Sequence, residues 1–128
     1  MTRVLLVEDT ADILSVLKME LEWMGYQVDA STEAKAALVI ARRAPPDVIV
    51  SDLSMPEMDG FQFIRRIRKI SGLASVPAIA LTGSTLDKDI RQAIASGFTT
   101  HMTKPIDAAD LHKRISQLTA RWVARKAS

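Results

Sequence analysis

The chain has 128 residues, 48% of them apolar and 25% charged, as expected for a folded soluble domain rather than a disordered segment. Its 17 Lys and Arg residues barely exceed its 15 Asp and Glu residues, so the composition gives no indication of nucleic-acid binding. The absence of cysteine excludes disulfide bonds and thiolate metal sites. No apolar run approaches the roughly 20 residues of a membrane span, and acids occur too early for a signal peptide, so we expect a cytoplasmic domain.

Two kinds of apolar pattern alternate along the chain. Short continuous runs rich in branched residues are typical of strands buried on both faces, and they predict strands at residues 4–7, 26–30, 48–50, 78–81 and 99–102. Apolar residues at helical spacing predict helices over residues 14–24, 34–41, 63–70, 86–94 and 111–122. Five strand–helix pairs in strict alternation predict an α/β domain with a parallel sheet and right-handed crossovers.

Turn-forming and capping residues separate these elements. Gly25 and Gly97 are placed to end the first and fourth helices, and Pro45-Pro46 stops the second. Asp107 is placed to cap the start of the fifth helix. The buried stripe predicted for the fourth helix consists of Leu86, Ile90, Ala93 and Ile94.

Polar side chains follow the predicted strands at the points where the strands end. Glu8 and Asp9 follow the first strand, Asp52 the third, Thr82 the fourth and Lys104 the fifth. In open α/β sheets, functional groups collect at the carboxyl ends of the strands, near the point where the strand order reverses. If the first and third strands are neighbours, about 4.8 Å apart, their terminal carboxylates are forced together.

A cluster of three carboxylates predicts a cation site. The carboxylates repel one another unless a proton or a cation joins them. Ligands that are all oxygen atoms favour a hard ion, Mg²⁺ before Ca²⁺, and the D-x-[DN]-x-[DN]-G pattern of a calcium loop is absent. The alternative, that Asp9 and Asp52 simply cap the helices that follow them, stays open at this point.

The same cluster is suited to phosphoryl chemistry. A carboxylate can attack phosphorus to form an aspartyl phosphate, and the transferred group needs cations and hydrogen-bond donors around it. Lys104 and Thr82 would supply an ammonium and a hydroxyl. We therefore interpret Asp52 as the phosphoacceptor, with Glu8 and Asp9 as the pair that holds the metal ion.

The segments VLLVED, SDLSMPEMDG, ALTGS and MTKP, in this order, resemble the receiver domain of two-component response regulators. The resemblance covers nearly the whole chain and extends to chemotaxis regulators and to the receivers of hybrid histidine kinases. It implies a flavodoxin-like, doubly wound sheet of five parallel strands in the order 2-1-3-4-5, with five helices, an order also known from flavodoxin and chemotaxis receivers. We expect a receiver domain at residues 1–122 and a C-terminal tail or linker start at 123–128.

The resemblance also implies roles for individual residues. Asp52 would accept a phosphoryl group from a histidine kinase or a histidine phosphotransfer protein. Asp52, Asp9 and the backbone carbonyl of Ser54 would bind Mg²⁺ directly, and Glu8 would act through water. Lys104 would pair with the phosphoryl oxygens.

Further roles concern the switch and the shape of the site. Thr82 would be the switch hydroxyl, Gly83 would leave room for the phosphoryl group, and the Lys104–Pro105 bond is expected to be cis. His101 stands where the family usually has Tyr or Phe, so it is either a switch residue or a polar residue on an edge strand. Output would involve the fourth helix, fifth strand and fifth helix, a surface that includes Asp87, Lys88, Arg91, His101, Lys113 and Arg114.

The resemblance implies a binding switch that is not a turnover enzyme and that contacts neither nucleic acid nor membrane directly. A homodimer is possible. A phosphohydrolase of the haloacid dehalogenase type would carry D-x-D-x-[TV], and Glu8-Asp9-Thr10 lacks its second Asp. A nucleotide-binding protein would carry a glycine-rich phosphate motif, which is absent. The remaining alternative is a receiver-like scaffold that is never phosphorylated.

Overall fold

The computed structural model describes the backbone of residues 1–127 and the side chains of residues 1–124. The strands are β1 Arg3–Val7, β2 Gln27–Ser31, β3 Val48–Asp52, β4 Ala78–Thr82 and β5 Thr100–Thr103. The helices are α1 Ala11–Trp23, α2 Ala34–Arg43, α3 Gly60–Ile67, α4 Asp87–Ser96 and α5 Ala108–Ala127. The expected tail at 123–128 ends outside the described residues; up to Ala127 the backbone continues α5, and the domain boundary at residue 122 stays a prediction.

All neighbouring strands are parallel, and their order is β2-β1-β3-β4-β5, which confirms the predicted topology. In the register of the central pair, Val7 of β1 lies opposite Ser51 of β3. The next residues along the chain, Glu8 and Asp52, therefore leave the sheet at the same level. The order reverses between β1 and β3, so this level is the point where open α/β sheets place their functional groups.

Helices cover both faces of the sheet. Side chains alternate between the two faces along each strand, so each strand contributes to two apolar clusters. Side chains such as Leu6, Val50 and Leu81 pack with α1 and α5 on one face. Side chains such as Leu5 and Ile49 pack with α2, α3 and α4 on the other. Among the described helices, none is long and apolar enough to cross a membrane.

The buried stripe predicted for α4 is wrong in part. Ala93 is fully buried, but Leu86 is 56% exposed and Ile94 is 45% exposed. Leu86 lies outside the buried face of α4 because the helix begins only at Asp87. The helix packs through the small side chains of Ala93 and Ser96, one turn apart, so α4 buries less apolar surface than the pattern indicated.

The start of α3 is pressed against the end of β3. Asp59 caps the helix by accepting a hydrogen bond from the Gln62 amide, and the Gln62 side chain accepts one from the Asp59 amide in return. Next to this cap, a Cβ atom on Gly60 would lie 2.4 Å from the carbonyl oxygen of Asp52 and 2.7 Å from the Cα of Leu53. Residue 60 must be glycine because any Cβ atom would collide with the backbone at the end of β3.

Replacing Gly60 with Ala should lower the free energy of unfolding by roughly 1–3 kcal/mol, the usual cost of forcing a methyl group into a packed position. Urea unfolding would measure the loss. Gly83→Ala is the matched control, because a Cβ atom there meets nothing within 4 Å. Equal stability of the two variants would show that the β3–α3 contact relaxes without cost.

Candidate functional site

Three acids from separate parts of the chain meet at the carboxyl edge of the sheet. Glu8 and Asp9 follow β1, and Asp52 ends β3. Each offers a carboxylate oxygen, and these oxygens all lie within 4.8 Å of one another. The parallel pairing of β1 with β3 causes the convergence, because it brings both strands to their ends side by side.

The three acids differ in exposure. Glu8 is fully buried and Asp52 is only 2% exposed, whereas Asp9 lies at the surface. Burying a carboxylate is costly unless it is hydrogen-bonded or paired. Glu8 Oε1 accepts a hydrogen bond from the Thr10 amide at 3.3 Å, and Asp52 Oδ1 accepts one from the Ser54 amide at 3.2 Å.

Lys104 supplies the positive charge in this cluster. Its Nζ donates a hydrogen bond to Asp52 Oδ2 at 2.7 Å and lies 3.3 Å from Glu8 Oε2. The Lys104 amide donates to the carbonyl of Thr82 at 2.8 Å, which fixes its backbone beside the end of β4. The Lys104–Pro105 peptide bond is cis, as predicted.

The protonation equilibria reflect burial and charge together. Burial, followed by the charge of Asp52, raises the pKa of Glu8 above its ordinary value. Burial alone would lower the pKa of Lys104, but the hydrogen bond to Asp52 and its charge outweigh burial and raise the Lys104 pKa. The lysine is therefore held in its charged form, and Glu8 is the acid whose charge is least well compensated.

The residues present fit a hard divalent cation. Glu8 Oε2 is buried and accepts no hydrogen bond from the described part of the chain, because Lys104 approaches it as an ion-pair partner without hydrogen-bond geometry. Asp9 and Asp52 add further carboxylate oxygens within reach. Such a set of oxygen donors is what Mg²⁺ prefers in proteins.

The acids do not serve as helix caps, so the capping alternative is wrong. The residue that precedes α1 is Thr10, whose side chain makes no capping hydrogen bond. The cap of α3 is Asp59. By contrast, Asp107 Oδ1 accepts a hydrogen bond from the Ala109 amide at 3.0 Å, so its predicted capping role at α5 is confirmed.

A cleft of about 470 Å³ opens beside Asp52, between the ends of β3 and β4. Thr82 is buried at its wall, and its Oγ1 accepts a hydrogen bond from the Ser84 amide at 3.0 Å. The other residues singled out from the sequence that line this cleft are Ser54, Gly83 and Lys104. His101 lies elsewhere: it is half-buried on β5 and lines a separate cleft beside α5.

Three residues that line the cleft, Phe61, Ser84 and Asp89, were not predicted as part of the site from the sequence. Ser84 Oγ donates to Asp89 Oδ2 at 2.6 Å and accepts from the Leu86 amide, which ties the loop after β4 to the first turn of α4. Phe61 lines the opposite side. The serine and aspartate around the start of α4 were a usable signal, because both residue types favour helix starts.

A doubly wound sheet with three acids and a lysine at its carboxyl edge defines a receiver of the two-component signalling type. The chain belongs to the response regulator receiver domain family, whose family model matches residues 4–116. Receiver domains are signalling domains rather than conventional enzymes, and they bind Mg²⁺ at an acidic pocket. They interact with histidine kinases or phosphotransfer proteins.

Relatives by sequence include an uncharacterised 14.6 kDa protein of Leptolyngbya boryana, 40% identical over 114 residues, which cover 89% of this chain and 87% of that one. The virulence transcriptional regulatory protein PhoP of Salmonella typhimurium is 36% identical over 121 residues, or 94% of this chain and 53% of PhoP. The chain thus spans about half the length of PhoP.

Solved structures agree in fold. Chemotaxis protein CheY4 of Vibrio cholerae superposes with a TM-score of 0.89 at 32% identity, covering 92% of this chain and 98% of CheY4. The receiver domain of sensor histidine kinase PA1611 from Pseudomonas aeruginosa gives a TM-score of 0.85 at 29% identity, covering 93% and 98% of the two chains. That structure has a magnesium ion coordinated in its active site cleft.

Replacing Glu8 with Gln should stabilise the metal-free protein at neutral pH. Because the pKa of Glu8 is raised on folding, the folded state holds this proton more tightly than the unfolded chain, and stability falls as pH rises through the raised pKa. Gln does not titrate, so the gain should shrink as pH falls towards the ordinary Glu value of 4.5. Thermal unfolding in a chelating buffer over this pH range measures the effect.

The control is Glu57→Gln, at an exposed acid in the loop between β3 and α3. Its unfolding midpoint should follow that of the parent at every pH. A Glu8→Gln protein that is less stable than the parent at neutral pH would mean that the ion pair with Lys104 outweighs the cost of burying the carboxylate.

Proposed function

We propose that the domain accepts a phosphoryl group on Asp52 from a histidine kinase or histidine phosphotransfer protein, and that phosphorylation alters a surface that binds a downstream protein. One observation carries the proposal. The buried Asp52 carboxylate is held by Lys104 at 2.7 Å, beside two further acids, at the edge of an open cleft.

In the transfer, a carboxylate oxygen of Asp52 forms a bond to phosphorus while the bond from phosphorus to the donor's imidazole nitrogen breaks. The nitrogen keeps the bonding electron pair. Lys104 is placed to follow the negative charge from the carboxylate to the phosphoryl oxygens, and Gly83 leaves the approach open because no side chain stands there. The hydroxyl of Thr82 supplies a donor at the cleft wall.

Mg²⁺ would be held by Asp9, Asp52 and the carbonyl of Ser54, with Glu8 acting through water, and when bound it offsets negative charge on the phosphoryl oxygens. Under this assignment, the bound ion would offset the repulsion among the three clustered carboxylates. It also gives Glu8 the compensation that Lys104 supplies only in part.

An apolar groove next to the acidic cluster is suited to the phosphodonor. It measures about 690 Å³ and lies between α1 and the segment that follows β5. Ile13, Val16 and Ile106 line it, and Glu8 and Lys104 also reach it. An amphipathic helix of the donor that lies in this groove would bring its phosphorylated histidine towards Asp52.

The output surface proposed for this domain comprises α4, β5 and α5, and a homodimer would use the same surface. His101 faces a cleft of about 560 Å³ there, together with Lys113 and Arg114. β4 and β5 are paired so that Ala80 lies opposite His101 and Thr82 opposite Thr103. Thr82 is therefore one strand across and two residues along from His101, and the two residues lie on the same face of the sheet.

Incubation with Mg²⁺ and acetyl phosphate should add the mass of one phosphoryl group to the intact protein, as acetate leaves with the bonding electron pair. Asp52→Asn should gain nothing, because an amide is not a nucleophile of this kind. Glu57→Gln, at an exposed acid in the loop that follows β3, is the matched control and should be phosphorylated like the parent. Intact-protein mass spectrometry distinguishes the three.

Other outcomes of this experiment would contradict the proposal. Release of many equivalents of phosphate per protein would identify a hydrolytic enzyme. An unmodified parent protein, despite a normal fold, would identify a receiver-like scaffold. Phosphorylation that persists in Asp52→Asn would place the acceptor elsewhere.

Mg²⁺ should raise the thermal stability of the unphosphorylated protein, by about 2.7 kcal/mol once its concentration reaches about 100 times the Kd. Asp9→Asn should lose most of this gain, because Asp9 supplies one of the three clustered carboxylates. Asp12→Asn, which removes an exposed acid three residues further on, is the control and should keep the gain. A stabilisation that is equal in both variants would exclude Asp9 as a ligand.

A further inference from the structure

Acidic residues are missing from two neighbouring helices, α2 and α3. Neither α2 nor α3 contains Asp or Glu, and no acid occurs between Asp59 and Asp87. Five basic residues are exposed near the ends of these two helices, and we call them the basic face: Arg42, Arg43, Arg65, Arg66 and Lys69. The small net charge of the chain therefore conceals a strongly positive surface.

The basic face lies at the opposite end of the sheet from the phosphoacceptor. In a parallel sheet, each crossover helix runs back towards the amino ends of the strands, so α2 and α3 begin near Asp52 and end at the amino edge. The acids of the site lie at one edge and these five cations at the other. The basic face is thus separate from the phosphorylation site, although Arg65 at its margin reaches Ser96 of α4.

The cations of the basic face have no acidic partners within the described residues. Elsewhere Arg3 pairs with Asp29 at 2.8 Å, and Lys18 pairs with Glu22 at 3.0 Å. Within the basic face, Arg65 donates one hydrogen bond to Ser96. The five charges are therefore available to a partner.

A neighbouring arginine shows what a structural role looks like in this region. Arg68 is half-buried and donates hydrogen bonds to the carbonyls of Leu73, Val76 and Gly97. Every one of these contacts joins α3 to an adjacent loop. The residues of the basic face make no comparable set of contacts, so holding the fold together does not account for them.

Helix geometry explains only part of the cluster. Cations are favoured in the last turn of a helix by the negative end of its dipole, which accounts for Arg42 or Arg66 taken singly. It does not account for the convergence of side chains from two helices on one cleft. Arg42, Arg66 and Lys69 all line a cleft of about 330 Å³ between the ends of α2 and α3.

We propose that the basic face binds an acidic segment of a partner protein, with Arg42, Arg66 and Lys69 receiving its carboxylates. Arg42 and Arg66 each present a planar fork of donors that matches a carboxylate, and Lys69 adds a compact ammonium. Three cations in one cleft favour several acids in sequence over a single ion.

Single-stranded nucleic acid would need exposed aromatic rings to stack on. α2 has no aromatic residue, and the two aromatic residues of α3, Phe61 and Phe63, are half-buried and fully buried. A membrane surface would need several exposed apolar anchors, and Val39 is the only large apolar side chain of α2 or α3 that is markedly exposed within the described residues.

The test uses a fluorescein-labelled oligoglutamate peptide, titrated with the full chain and followed by fluorescence anisotropy. Saturable binding that weakens as salt rises is expected, with no binding of the matching oligoglutamine. The triple variant Arg42→Gln, Arg66→Gln, Lys69→Gln should weaken binding about tenfold, as expected for the loss of three exposed charge contacts. Amide shifts in NMR spectra should be confined to the last turns of α2 and α3.

The matched control removes three positive charges outside the basic face and outside the residues named for the output surface: Lys18→Gln, Lys35→Gln and Arg121→Gln. It should bind oligoglutamate within about twofold of the parent, since exposed charges far from the contact contribute little. If both triple variants lost the same amount of oligoglutamate affinity, the binding would reflect only the overall charge of the protein, and the proposal would be overturned. So would tighter binding of duplex DNA or of vesicles containing phosphatidylserine at the same salt concentration. Circular dichroism of both variants establishes that they are folded.

Discussion

The ion pair between Lys104 and Asp52 is the contact on which the site depends. Parallel pairing of β1 and β3 forces Glu8, Asp9 and Asp52 to the same edge, where their charges repel. The lysine crosses from the far end of the chain to offset that repulsion, and it leaves Glu8 incompletely compensated. We therefore expect the metal-free fold to become more stable when one of these charges is removed. A binding site for a cation and an anionic group is the form of function that such an arrangement allows.

The parallel α/β architecture and the residues of the acidic site could be predicted from local pattern, whereas the strand order was implied by the resemblance to receiver domains. Buried parallel strands are continuous apolar runs, and the residue after each run must emerge at the carboxyl edge. The cap of α3 by Asp59, the Ser84–Asp89 hydrogen bond and the shallow packing of α4 could not be predicted in this way. The first two depend on the backbone conformation of the loops before α3 and α4. The packing of α4 depends on how much of the neighbouring elements is available to cover it. A one-dimensional pattern of polar and apolar residues does not encode either quantity.

The net charge of +2 does not describe how charge is distributed over the surface of the molecule. It sums over the chain, whereas a partner meets only one side of the folded molecule. Acids gather at the carboxyl edge because strand ends and helix starts favour them, and cations gather where α2 and α3 end. The fold therefore separates charges that the sum of +2 treats as cancelled. The distribution of acids along the chain, in particular their absence between Asp59 and Asp87, was the usable signal.

The contact between Gly60 and the Asp52 carbonyl makes the two walls of the cleft beside Asp52 unequal in stiffness. On the α3 side, the backbone of Gly60 packs directly against the backbone of Asp52 and Leu53. Because no flexible side chain separates them, this wall has little room to move. On the α4 side, Gly83 faces open space, and the helix is anchored mainly through two small residues. Any expansion around the carboxylate will meet a rigid wall on one side and a compliant one on the other. We therefore expect a displacement around the carboxylate to be taken up mainly on the α4 side.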